Sequence, residues 1–361
     1  MTALQEIILS GTAYERGVQH GRALGGYIRD FLQDHEARIN KIRVHPLEKE
    51  QISTLVAEHV AVIEAQLPDI AAELRGLAVG AGISYRDAVL LQMRVELIGY
   101  KSQDDLEGDC STIAARKSSG SIITGQTIDL PGDLAALGCI FRIIPEQENT
   151  PEILMYGFAG LLGYIGLNSF GLSVNINMVL SDDWQPGISP YLIVRHLLTL
   201  DTIASCKAEL QRLCRSSSRS FLITDAEGMV NIECTATETA VIDTDYILHT
   251  NHFLTPLSSY ESMNFLFRNS SVKRLQLLEQ LLPAYRDEIT PDLLFHIFSD
   301  HSLYPVGICA HGEDNIRRSE TVGAVVMLPQ SNILYARKGH TCTRHTELFR
   351  LSNKSVFTPT T

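Results

Sequence analysis

The sequence predicts an α+β protein built on antiparallel sheets. Roughly the first hundred residues carry helical periodicity, strand-like runs then follow at hairpin spacing, and helices return in groups instead of alternating with single strands. A doubly wound parallel sheet needs that strict alternation. A chain of 361 residues, 45% apolar and 20% charged, is long enough to bury a core of this kind.

The elements follow in order. Thr12-Ala13-Tyr14-Glu15 and Ser84 to Asp87 have the form of capping boxes, in which a hydroxyl and a carboxylate satisfy the first free amides of a helix. Gly17 and Gly21 lie four apart after the first box, so that helix can approach a neighbour closely. Ile52, Val56, Val60, Ile63 and Leu67 recur at helical spacing, as do Ala88, Leu91, Val95 and Ile98; the charged residues between them read as solvated faces. Beyond a polar, acidic stretch at 101–109 the chain turns strand-like, at Ser121–Gln126, Ile140–Ile144 and Leu172–Met178. Asn168-Ser169-Phe170-Gly171 reads as a hairpin turn. Helices are predicted around Tyr191–Leu200 and Thr202–Leu213, and strands at Ser220–Thr224, Val230–Cys234 and Tyr246–His249. A helix at Ser271–Tyr285 precedes one announced by Thr290-Pro291-Asp292, an N-cap followed by proline at the first helical position. A last hairpin pairs Val322–Leu328 with Ile333–Arg337.

The charge balance excludes some partners. A net charge of −12 argues against nucleic acid, whose affinity comes from clustered Lys and Arg. The apolar run from Ile153 to Leu180 carries Asn168, Asn175 and Asn177 and five glycines, so it reads as buried strands and no membrane contact is expected. A start without a basic, apolar leader and an odd count of seven cysteines lead us to expect a cytoplasmic protein. Phosphate-loop, HExxH, CxxC and GxSxG signatures are absent, leaving nucleotide-driven and zincin chemistry without support.

Gly108-Asp109-Cys110-Ser111-Thr112 stands where helix gives way to strand. Taken alone, Cys110 reads as a small buried hydrophobe, the usual fate of a lone cysteine. Its other reading is a nucleophile at a strand edge. The stretch Asp109-Cys110-Ser111-Thr112, followed by Gly125-Gln126-Thr127-Ile128-Asp129, resembles the isopenicillin N (acyl-CoA:6-aminopenicillanic acid) acyltransferase family. These are self-processing N-terminal nucleophile (Ntn) hydrolases, related more distantly to the bile-salt hydrolase and penicillin V acylase group. The likeness extends in the same order over nearly the whole chain. It takes in the segment from Gly11 to Gly21, Glu73-Leu74-Arg75-Gly76-Leu77-Ala78, the hairpin from Gly166 to Asn177, His249-Thr250-Asn251-His252, Ile308-Cys309-Ala310-His311 and Gly339-His340-Thr341-Cys342. Together these motifs outweigh the bland reading of Cys110.

The resemblance implies a four-layer αββα sandwich and cleavage between Asp109 and Cys110. Residues 1–109 would form a mainly helical light chain and 110–361 the catalytic heavy chain. It implies that Cys110 attacks, Asp129 binds and orients its freed amine, Asn251 stabilises the oxyanion, Arg318 favours the thiolate and Asn177 faces inward from its hairpin. The family pattern has glycine just before the nucleophile, where this chain has Asp109 preceded by Gly108. No cofactor is implied. The expected substrate is a small N-acylated molecule, with acyl-CoA as an alternative acyl donor, and a homo-oligomer is compatible with the sequence. Two rival readings are a zinc enzyme using His340, Cys342, His345, Cys309 and His311, and a homologue that binds without catalysing.

Overall fold

The computed structural model describes residues 3–43, 45–98, 110–262, 265–282, 289–305, 307–312, 319–343 and 345–351. Its first element corrects the helical reading of the opening segment. β1 (Glu6–Gly11) is a strand in which Ile7 and Leu9 are buried while Glu6, Ile8 and Ser10 face solvent. Six residues of two-fold alternation directly before a helix cap are too short a signal to stand out.

Among the described residues five helices follow: α1 (Ala13–Ile42), α2 (Lys49–Gln66), α3 (Pro68–Ala81), α4 (Tyr85–Gln92) and α5 (Arg94–Ile98). Both expected capping boxes are formed, Thr12 with Glu15 and Ser84 with Asp87. α1 and α3 meet backbone to backbone. A Cβ at Gly17 would lie 2.0 Å from the Glu73 carbonyl oxygen, and one at Gly76 2.0 Å from that of Tyr14. The charged residues here are not all solvated. Glu73 is buried, with Oε2 2.8 Å from Arg195 Nη2 and 3.6 Å from Arg16 Nη2. A buried carboxylate persists only when paired in this way.

The strands form two sheets. The first contains eight strands among the described residues, in the order β1, β4 (Gly138–Pro145), β5 (Ile153–Phe158), β6 (Ile165–Asn168), β7 (Ser173–Asn177), β8 (Arg219–Thr224), β9 (Met229–Cys234) and β10 (Thr239–Ile242). The second contains six: β11 (Tyr246–His249), β2 (Thr112–Arg116), β3 (Ile122–Leu130), β12 (Glu320–Leu328), β13 (Ile333–Lys338) and β14 (Glu347–Arg350). Their ladders are antiparallel except β1 with β4, which run parallel. The β6–β7 turn forms as expected: Asn168 Oδ1 accepts the amides of Phe170 and Leu172, and Gly171 takes φ +86°.

The remaining helices are α6 (Pro190–Leu197), α7 (Ile203–Arg212), α8 (Phe265–Leu281) and α9 (Pro291–Ile297). One core joins the eight-stranded sheet to the opening helices, α6 and α7, through residues such as Leu74, Leu77, Ile140, Leu154, Leu192 and Leu210. A second joins α8 and α9 to the six-stranded sheet, through Leu278, Phe295, Phe298, Ile113, Ile123 and Val326. The sheets face each other through apolar packing, in which Ile128, Val325, Met327 and Ala336 join the core of the eight-stranded sheet, and through a set of polar contacts. Thr124 Oγ1 donates to Asn175 Oδ1 (2.9 Å), Gln126 engages the Ile176 backbone, and Thr112 Oγ1 donates to Asn177 Oδ1 (2.5 Å). The order of layers is helix, sheet, sheet, helix. No helix among the described residues is long and apolar enough to cross a membrane.

Burial also sets a pH limit on this packing. His20, on α1, accepts the Gly160 amide at Nε2 (3.1 Å), and burial pushes its pKa down to about 3. Unfolded, the ring titrates near 6.5. The unfolded state therefore binds more protons between these values, and stability falls as pH drops from about 6.5 towards 3. We expect the thermal midpoint to fall between pH 7 and pH 5, and His20→Asn to flatten that slope. An equal slope in the variant would contradict this.

Candidate active site

Cys110 and Ser111 lie just before β2, where the β2–β3 ladder continues through two further bonds. The Ser111 amide donates to Thr127 Oγ1 (2.9 Å), and the Thr127 amide donates to the Ser111 carbonyl (3.0 Å). This fixes Cys110 beside Asp129, whose backbone N–H donates to Cys110 Sγ at 3.4 Å. The Cys110 carbonyl is held from two other layers. Asn177 Nδ2, on β7, donates to it at 3.0 Å, and Arg274 Nη1, on α8, at 3.1 Å. The Thr112 hydroxyl facing Asn177 Oδ1 orients that amide.

Arg274 is fully buried and links three parts of the site. Besides Cys110 it donates to Ser111 Oγ (3.1 Å) and, through Nη2, to Asn251 Oδ1 (3.0 Å). A guanidinium can only donate, so the Asn251 oxygen must face it and the NH₂ must point away. That NH₂ donates to the carbonyl of Met178 (2.9 Å), a residue lining the cavity beside Cys110.

The segment presenting Asn251 is anchored from below. Glu233 Oε1 is 2.8 Å from His249 Nε2, and the Glu233 carboxylate also accepts the amides of Leu254 and Thr255 and the Thr255 hydroxyl. Burial alone would raise the Glu233 pKa; the hydrogen bonds and charge from His249, with those from Thr255 and Leu254, outweigh it and hold the carboxyl below its usual value. His252 Nδ1 lies 2.8 Å from Ser271 Oγ, which also accepts the Asn251 amide (2.7 Å).

The cavity beside Cys110 and Asp129 has apolar walls that include Val95, Ile98, Leu130, Tyr164, Ile176 and Tyr191, together with the cationic Arg94 and Arg219. Tyr164 and Tyr191 stack with ring centroids 5.6 Å apart. Burial, with the nearby Cys110, pushes the Tyr164 phenol well above its usual pKa, so this wall stays uncharged. Such a surface suits an apolar group carrying a polar end.

Cys110, Asp129, Asn177 and Asn251 thus meet in one cluster, the last through Arg274. Asp109 and Arg318 lie outside the described residues; Ser319, next in the chain, lines the cavity. The five-residue metal reading needs correction. Cys309, His311 and Cys342 do come together, but their fourth member is His301. His340 Nε2 meets Glu320 (3.2 Å), and His345 Nε2 lies 3.8 Å from Glu347.

Arg274 is the residue that sequence reasoning missed. A signal existed: Ser271, Arg274, Leu278 and Leu282 fall on one buried stripe, and polar residues on the apolar face of a helix mark a polar site beneath it.

Comparison with known proteins adds to this geometry. A family model described as acyl-coenzyme A:6-aminopenicillanic acid acyl-transferase matches residues 119–341, a span holding Asp129, Asn177, Asn251 and Arg318 and beginning just after Cys110. The 40 kDa form of the acyl-coenzyme A:6-aminopenicillanic-acid-acyltransferase of Emericella nidulans is 26% identical over 329 residues, covering 89% of this chain and 88% of its own length. A mutant conjugated bile acid hydrolase from Clostridium perfringens aligns with a TM-score of 0.41 and 11% identity, over 68% of this chain and 97% of its own. Penicillin V acylase from Agrobacterium tumefaciens aligns with a TM-score of 0.42 and 12% identity, over 63% and 83%. At these scores the fold rests on the layers described above, not on the likeness.

Replacing Arg274 by Met leaves buried oxygens on Cys110, Ser111 and Asn251 each without one donor. We expect a loss of about 3 kcal/mol in urea unfolding. Arg274→Lys, which lacks the fork, is expected to recover only part of it. Unchanged stability in Arg274→Met would contradict the bridging role.

Proposed function

The chain belongs to the acyl-coenzyme A:6-aminopenicillanic acid acyl-transferase family, and from that premise we propose that it is a self-processing cysteine acylase. On this reading Cys110 becomes an N-terminal nucleophile that cleaves the amide or thioester of a small acylated molecule. The observation that carries the proposal is the double grip on Cys110. Its carbonyl is clamped by Asn177 and Arg274 while its sulfur, at the wall of an apolar cavity, accepts the Asp129 amide.

Maturation comes first. Cys110 Sγ attacks the carbonyl carbon of Asp109; the C–S bond forms, the C–N bond breaks and the nitrogen takes up a proton. Water then hydrolyses the thioester, releasing the Asp109 carboxylate, the thiol and a free α-amine. That amine titrates near about 7.7–8.0, so part of it is neutral at working pH and can take the thiol proton; an amide nitrogen cannot.

In turnover the thiolate attacks the substrate carbonyl. Charge develops on the carbonyl oxygen, and the role proposed for the Asn251 NH₂ is to donate to it. Its orientation by Arg274 supports that assignment. Asp129 would hold the new amine through its carboxylate and the sulfur through its amide, and Arg318 would favour the thiolate. Collapse expels the leaving amine or thiol and leaves an S-acyl enzyme. Water then yields an acid, or an amine yields a new amide. Similarity to the acyl-coenzyme A:6-aminopenicillanic-acid-acyltransferase of Emericella nidulans favours the second outcome with acyl-CoA as donor, and the cationic Arg94 and Arg219 beside the cavity suit an anionic substrate end.

Intact-mass measurement of the purified chain is expected to show two fragments dividing at Asp109–Cys110, and Cys110→Ala a single inactive chain. An active enzyme with an unbroken chain at that bond would overturn the mechanism. For Asn251→Ala, the expected result is a mature protein whose kcat falls by about 10²–10³ on an N-acyl or acyl-thioester substrate. A change confined to KM would remove Asn251 from the oxyanion role.

A further inference from the structure

Away from Cys110, four side chains from two loops, three from the α9–β12 connection and one from the turn after β13, converge beside the start of β12 and the end of β13. We propose that His301, Cys309, His311 and Cys342 form a structural zinc site. His301 lies beyond α9, Cys309 and His311 on the approach to β12, and Cys342 in the turn after β13. One ligand atom from each lies within 4.8 Å of the others. His301 Nε2 is 3.0 Å from His311 Nε2, which is 3.7 Å from Cys309 Sγ and 4.0 Å from Cys342 Sγ.

Those separations are close to what a tetrahedral ion requires. Zn–N bonds near 2.0–2.1 Å and Zn–S bonds near 2.3 Å give tetrahedral edges of about 3.3 Å between nitrogens and about 3.6 Å between nitrogen and sulfur. The other ligand pairs lie within 4.8 Å, so side-chain shifts of up to about 1 Å close the shell. Two thiolates and two imidazoles favour zinc over magnesium or calcium, which prefer oxygen. Four protein ligands complete the shell and leave no position for a substrate, so the site is structural and not catalytic. Binding releases the two thiol protons to solvent and changes no oxidation state.

The backbone around the ligands is fixed by independent contacts. The Cys309 amide donates to the Asp300 carbonyl (3.1 Å), and Ala310 exchanges two hydrogen bonds with Thr321. His340 packs on the His311 ring, with centroids 3.9 Å apart, while its Nε2 meets Glu320. His301 is exposed, Cys309 buried and the other two half-buried, so an ion can enter from one side. The clamp also reaches the catalytic sheet: Thr321, bonded to Ala310, stands opposite Asp129 in the β12–β3 ladder. Zinc here would tie the loops after α9 and β13 to the strand pair that carries Asp129.

The test is metal analysis of the full chain, expressed with added zinc and purified without chelator. Wild type and Cys110→Ala are expected to retain about one zinc each, which separates this site from the nucleophile. Cys309→Ser and Cys342→Ser are expected to lose at least tenfold in occupancy. His301→Ala, on an exposed ring, provides a variant whose folding is checked by circular dichroism and whose zinc affinity is expected to fall at least tenfold. Co²⁺ in place of zinc is expected to give the visible bands of a tetrahedral thiolate complex in the wild type and Cys110→Ala, and to lose them in the ligand variants. A zinc-free wild type, undiminished zinc in the folded His301→Ala and either serine variant, or a Cys309–Cys342 disulfide in the freshly purified chain would overturn the proposal.

Discussion

A guanidinium removed from water holds the candidate site together. Arg274 reaches out of α8 to the ends of β2 and β11 and donates to Cys110, Ser111 and Asn251. An ion this deeply buried is tolerated only where acceptors replace its hydration, so its position and theirs are mutually determined. The carbonyl of the proposed nucleophile, the amide of the proposed oxyanion donor and the helix behind them therefore form one rigid unit.

The interface between the sheets extends the same logic. The sheets pack through apolar residues such as Val325, Met327, Leu222 and Ile122, and polar pairs are set among them: Thr124 meets Asn175, Thr112 meets Asn177 and Gln126 meets the Ile176 backbone. Each pair satisfies groups whose burial would otherwise carry a penalty. Directional bonds also hold the sheets in one register, which places Asn177 over the Cys110 carbonyl. The buried Glu233–His249 pair plays a similar part beneath Asn251. Polar contacts thus set positions, while the apolar cores that cover both sheets supply most of the driving force for folding.

Much of the candidate site was legible as motifs. Cys110, Asp129, Asn177 and Asn251 lie far apart in sequence and meet across three elements and a loop, in keeping with an ordered set of family-like segments. Arg274 was missed because the polar stripe it shares with Ser271 in an ordinary-looking helix gains meaning only once the buried face is known. The metal-ligand quartet was legible in part. The pairs Cys309/His311 and His340/Cys342 drew notice by short spacing, but His301 stands well before Cys309 in the α9–β12 connection and only the folded chain substitutes it for His340.

Local chemistry by itself determined where helices begin and where hairpins turn. A capping box such as Thr12 with Glu15, or the turn at Asn168, is settled by groups three or four residues apart. The close approach of α1 to a neighbour was written in Gly17 and Gly21, since an absent side chain is itself a local fact. Tertiary structure alone decided that β1 runs parallel beside β4, that Glu73 is buried between two arginines and that Arg274 spans the site. Each of these depends on partners from distant parts of the chain. Their energy comes from burial and pairing that no short stretch of sequence contains.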